Sequence, residues 1–111
     1  MKKSELKFLI VDGKIRIDTV HYHRELLKAN ERHANVNGGG ICEFRQEDDQ
    51  KWVELWWKSY DFGVADPDET IRAINNTPEF MEILEMKGNL FFGDSFNLSE
   101  WPIYVYGKQL K

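Results

Sequence analysis

Leu6–Val11 is an apolar, β-rich run broken only by Lys7, Asp12-Gly13 is a tight-turn signal, and Ile15 and Ile17 then alternate with Arg16 and Asp18. The order run, turn, alternation predicts two strands joined as a hairpin. From Thr19 or Val20 to about Ala29 the spacing becomes helical, with Tyr22, Leu26 and Leu27 on one face and His23, Arg24 and Glu25 to its sides. Asn30 and the polar run to Asn37 end that predicted helix. Gly38-Gly39-Gly40 comes next, and three glycines in a row imply positive φ or close approach to another group. Ile41–Phe44 reads as a short strand and Gln46–Gln50 as a solvated hairpin turn. Trp52–Trp57 is a strand with Val53, Leu55 and Trp57 on one side and Trp52 and Trp56 on the other. Large apolar groups on both faces predict a central strand covered on both sides by helices.

Beyond it, Asp66-Pro67-Asp68-Glu69 carries the signals of a helix start: an N-cap acid, proline in the first turn and Glu at the capping-box position. That helix is predicted to run to about Asn75. Thr77-Pro78-Glu79 with Glu82 starts a short second helix ending near Lys87-Gly88. Asn89–Phe92 and Ile103–Tyr106 are strand candidates separated by a loop. No internal repeat or linker interrupts the chain. The predicted fold is α/β, a single compact domain over residues 1–111 with a mixed central sheet and helices on both faces.

Composition narrows the function classes. The 111 residues are 41% hydrophobic and 14% aromatic, with four tryptophans, which is ample core material and argues against disorder. The net charge of −4 and the lack of a long Lys/Arg run argue against a nucleic-acid partner. No apolar h-region follows the basic start, and no apolar run approaches the roughly 20 residues of a membrane span. A lone Cys42 has neither a disulfide partner nor a CxxC zinc pattern. The expectation is a cytoplasmic monomer.

Three features carry candidate chemistry. His21 and His23 form an HxH pair, which on a strand would point both rings one way as metal ligands with Asp18 or Glu25; on a helix the rings diverge. Ser59–Gly63 lies between a strand end and a helix start, where unpaired backbone N–H groups and the Ser59 hydroxyl suit a phosphate, although the same residues also suit a plain connecting turn and the Asp61 carboxylate would repel an anion. Lys7 stands in an apolar strand with Leu9 and Val11, opposite Phe8 and Ile10, as a functional cation or an ordinary edge lysine. The aromatic tail residues Trp101, Tyr104 and Tyr106 read as core or sheet-edge packing, or as a contact surface.

Taken in order, Leu6-Lys7-Phe8-Leu9-Ile10, Tyr22-His23 with Leu26, Gly38-Gly39-Gly40 and Ser59-Tyr60-Asp61-Phe62-Gly63 resemble the phosphohistidine phosphatase (Janus/Ocnus) family. The resemblance spans Lys7 to Ile74, with weaker matching through Phe92. It implies a mixed sheet between two main helices and metal-free removal of phosphate from protein phosphohistidine, without a cofactor. By position it implies His23 as the catalytic histidine, Lys7 as the phosphate-orienting lysine, Ser59 as the phosphate-binding serine and a backbone amide contact at Asp61. The implied partner is phosphate or a phosphohistidine-bearing protein. Two positions depart from the pattern: Ile41 stands where the animal enzymes have an arginine after the glycines, and Asp61 replaces a small apolar residue. A noncatalytic phosphate- or phosphoprotein-binding relative is the alternative.

Overall fold

The computed structural model describes residues 4–31 and 35–111; His33 lies outside them. The hairpin forms as expected from β1 (Glu5–Val11) and β2 (Lys14–Asp18), turning at Asp12, with φ 53, and Gly13, with φ 76. β3 (Val36–Glu47) is far longer than Ile41–Phe44, because the glycine run is itself strand and pairs antiparallel with β1, Phe8 opposite Gly40 and Leu9 opposite Gly39. β4 (Gln50–Trp56) returns along β3, and β5 (Ile103–Val105) lies parallel to β4. A two-residue β6 (Lys108–Gln109) completes a mixed sheet in the order β2-β1-β3-β4-β5-β6.

Between β4 and β5 run α1 (Pro67–Asn75) and α2 (Phe80–Phe92), the α-helices of the described residues. The start of α1 is as predicted: the Asp66 carboxylate accepts from the Glu69 amide at 3.0 Å. α2 continues through Asn89–Phe92, which the sequence reading took for a strand. Gly88 does not stop it, because it lies under the Phe96 ring, where an added Cβ would come within 2.2 Å. The helix ends at Gly93, whose φ is 89 and whose amide donates to the Asn89 carbonyl at 2.8 Å. Helical spacing then lets Phe91 and Phe92 meet Phe44 edge-on, while Phe96 and Trp101 close the same aromatic cluster. Of the tail aromatics, Trp101 is therefore core and Tyr104 and Tyr106 are half-buried on and beside β5.

The expectation of helices on both faces is corrected. Leu6, Phe8 and Ile10 of β1, Ile15 and Ile17 of β2, and Val53 and Leu55 of β4 share one buried cluster with Ala73, Ile74, Phe80 and Leu84. Both helices thus cover the same face. No helix covers the Trp52 and Trp56 side, and those rings stay half-buried with their indole N–H groups donating to Glu54 and Glu43 at 3.2 and 2.6 Å.

The predicted helix from residue 19 or 20 to 29 is also absent. A single 3-10 turn, His23–Leu26, stands there, between extended residues Tyr22 and Leu27. Two interactions compete with the helix. The Leu26 carbonyl accepts from the Arg16 guanidinium at 3.1 Å, and His23 is drawn onto the sheet. A helix of this length is marginal without a packed face, and its candidate apolar face, Tyr22, Leu26 and Leu27, is exposed or only half-buried. Among the described residues, no helix is long and apolar enough to cross a membrane.

Candidate functional site

On the sheet face without helices, the 3-10 turn lies against β1 and β2 and reaches β3 through His23. His23 is 7% exposed, and its Nε2 sits 2.8 Å from the Gly40 carbonyl oxygen. A carbonyl only accepts, so Nε2 carries the proton and Nδ1 keeps its lone pair. No group of the described residues bonds Nδ1, and it is not sealed from solvent. Gly39 makes this approach possible. A Cβ on Gly39 would fall 3.3 Å from the His23 ring and 2.3 Å from the Phe8 carbonyl, whereas one on Gly40 would point to the other side, 2.3 Å from the Trp56 carbonyl and 3.0 Å from the Phe8 ring.

Burial disfavours the imidazolium and holds His23 below the ordinary histidine range. The Gly40 carbonyl opposes that shift, Lys7 adds to it by like-charge repulsion, and Asp61 opposes it. The ring is neutral at pH 7, as a base or nucleophile requires.

His23 opens onto a depression of about 470 Å³ lined also by Glu5, Lys7, Arg24, Lys58 and Asp61, with aromatic walls. Lys7 projects from the open face of β1, as its alternation with Phe8 requires, and its ammonium stands 3.7 Å from Glu5. Arg24 lies 4.0 Å from Asp61 and covers the Tyr22 ring. Arg24 and Lys58 are the cations the sequence reading missed; their only signal was adjacency to His23 and Ser59. They add positive charge to a rim where Ile41 replaces the expected arginine.

The Ser59–Gly63 loop closes on itself. Ser59 and Gly63 exchange backbone hydrogen bonds of 3.1 and 2.8 Å, and the Ser59 hydroxyl accepts from the Phe62 amide at 3.1 Å. The Gly39 amide donates to the Gly63 carbonyl, tying the loop to β3. Lys7, His23 and Asp61 therefore converge on the depression, whereas Ser59 is 1% exposed and lies behind it. The amides of Tyr60 and Asp61 make no hydrogen bond within the described residues. The N-terminus of α1, capped by Asp66 as predicted, contributes no residue to the lining of the depression.

The HxH pair does not gather ligands. His21 is exposed, Asp18 pairs with Lys87 at 2.7 Å, and Glu25 accepts from the Tyr22 amide at 2.9 Å. No cluster of three His, Cys, Asp or Glu side chains suited to a metal occurs among the described residues. No family model, curated protein or solved structure matches the chain.

Proposed function

We propose that the chain is a phosphohistidine phosphatase-like hydrolase that works without a metal, with the His23 depression as its site. The observation carrying this reading is the Nε2–H bond to Gly40, which fixes the ring and leaves the Nδ1 lone pair free beside Lys7. The six-stranded mixed sheet and the arrival of Lys7, His23 and the Ser59–Gly63 loop around one depression support the resemblance in fold.

In the reaction, Lys7 and the Tyr60 and Asp61 amides stabilise the phosphoryl oxygens, where charge spreads in a loose transition state. Nδ1 takes a proton from water as the water oxygen bonds to phosphorus and the P–N bond breaks; the departing imidazole nitrogen takes up a proton. Attack by Nδ1 itself on phosphorus, followed by hydrolysis, uses the same geometry. Ser59 acts from behind, by holding the loop closed.

The noncatalytic phosphate-binding reading is favoured by one observation: Lys7 already faces Glu5, and Arg24 faces Asp61, so much of the positive rim is neutralised. Turnover of a phosphohistidine peptide and of para-nitrophenyl phosphate separates the two. The hydrolase reading expects turnover that His23→Ala abolishes with the fold intact. Phosphate binding by calorimetry without turnover establishes the binding reading instead, and turnover unchanged in His23→Ala removes His23 from the mechanism.

A further inference from the structure

Trp57 is where regular strand geometry and the structure part company. Alternation along β4 assigns Trp57 to the helix-covered face with Val53 and Leu55. Instead its φ is 74, in the left-handed region, and the ring lies edge-on to Trp56 at 5.4 Å, on the open side. A bulky residue is strained there and persists where surrounding contacts enforce it. The Tyr106 hydroxyl provides one such contact, donating to the Trp57 carbonyl at 3.0 Å.

The result is a large ring left 46% exposed on the wall of the His23 depression. It is not alone. Tyr60 is 83% exposed and Tyr22 56% exposed, and both line the same depression. These three are the large exposed aromatic side chains of the described residues. Lys58 lies 5.7 Å from the Trp57 ring centre and 5.0 Å from that of Tyr60, so a cation already rests against this pair of π faces. One depression thus combines solvent-exposed aromatic rings with Lys7, Arg24 and Lys58.

We infer that the depression also takes, besides a phosphohistidine side chain, a phosphate monoester carrying a flat aromatic ring, with a nucleoside monophosphate as the matching chemistry. The ring stacks on Trp57 and Tyr60 while the phosphoryl group reaches Lys7 and His23. A base is favoured over an alkyl or sugar substituent because any planar π face stacks on an exposed Trp or Tyr, and such stacking is worth roughly 1–3 kcal/mol per ring. Lys58 and Arg24 then serve the phosphate and the ring faces together. The phosphoryl end of this inference rests on the proposed function; the aromatic end rests on Trp57 and Tyr60 alone.

The test is equilibrium binding to the full chain, by tryptophan fluorescence and calorimetry, of adenosine 5′-monophosphate, ribose 5-phosphate and adenosine. The monophosphate should bind about tenfold or more tighter than ribose 5-phosphate, from the size of base stacking. Trp57→Ala should erase that advantage while leaving ribose 5-phosphate affinity unchanged. Tyr60→Ala, at a position too exposed to disturb folding, should reduce it. Equal affinity for the two phosphates, or an advantage intact in both variants, overturns the aromatic ligand and leaves the phosphoryl reading standing. Adenosine binding as tightly as its monophosphate overturns the phosphate end. Binding of none of the three overturns the inference outright.

Discussion

On the sheet face that α1 and α2 cover, Leu6, Phe8, Ile10, Val53 and Leu55 are sealed among apolar neighbours. On the other face, Leu9 is buried beneath the 3-10 turn, but Lys7, Ile41, Trp52, Glu54 and Trp56 stay half-exposed, and only that turn and a short loop lie across part of it. Burial of apolar surface stabilises the fold. Polar groups held at the edge of burial, as His23 is, supply tuned chemistry. On the proposed function the two tasks divide mainly between opposite sides of the same strands, as at Phe8 and Lys7, although Leu9 on the Lys7 side is buried too. Stability and activity should therefore be separable by substitution.

The sharpest test crosses the two faces. Phe8→Ala removes a fully buried ring and should cost about 3–5 kcal/mol, read as a lowered denaturant midpoint. On the proposed function, His23→Ala should lower turnover of a phosphohistidine peptide by roughly 10²–10⁴-fold while moving that midpoint much less. A loss of stability in His23→Ala as large as in Phe8→Ala would show that the open face is core after all. Gly40→Ala is the variant that joins the faces. Its Cβ would meet the Trp56 carbonyl at 2.3 Å and the Phe8 ring at 3.0 Å, and Gly40 also supplies the carbonyl that orients His23. It should cost about 1–3 kcal/mol by overpacking and reduce turnover as well. A change in only one of these would deny the coupling.

What could be read from the sequence divides along the same line. The hairpin, the α1 cap and the inward side of β4 up to Leu55 are dictated locally, by alternation, turn chemistry and a capping acid, and each is present in the structure. The misreadings fall where a distant group overrides a local pattern. Arg16 and the Gly40 carbonyl claim the segment that spacing alone makes a helix. The Phe96 ring turns Gly88 from a terminator into a packing site. Of the residues around the depression, Lys7, His23 and Asp61 belong to an ordered pattern in the sequence, and so does Ser59, which the fold buries behind the lining; Trp57, Arg24 and Lys58 carry no such pattern. Their placement depends on a left-handed residue and on side chains meeting across loops, for which a single sequence has no periodic signal.

A smaller effect concerns pH. Because burial depresses the His23 pKa, the unfolded chain binds that proton more readily than the folded one. The stability gained from keeping His23 neutral is full above the ordinary value of about 6.5 and declines as pH falls through the lower folded value. Turnover on the proposed mechanism should be flat near pH 7 and fall on the acid side only as pH passes through the lowered folded value, which lies below the ordinary one. His23→Gln should flatten that segment of the stability profile, measured by thermal melts between pH 8 and 5. A steeper profile in the variant would mean that the imidazolium, not the neutral ring, is the form the fold prefers.

The smallest effect lies at the margin of the open face. The Arg16 guanidinium forks onto the Glu31 carboxylate, which also accepts from the Lys28 amide, and thereby ties the chain after the 3-10 turn to β2. Arg16 in particular holds the Glu31 carboxyl down at about 2. The pair's contribution is present above the ordinary carboxylate range and lost as pH falls toward that value. The carboxylate is solvent-screened, so its effect on global stability should be slight. Its local effect should be clearer: Glu31→Gln should speed amide exchange in residues 24–31 at neutral pH while leaving β1 and α2 protected. Uniformly faster exchange would place Glu31 in the shared scaffold of both faces, and unchanged exchange would leave the turn anchored by His23 and the Arg16–Leu26 bond alone.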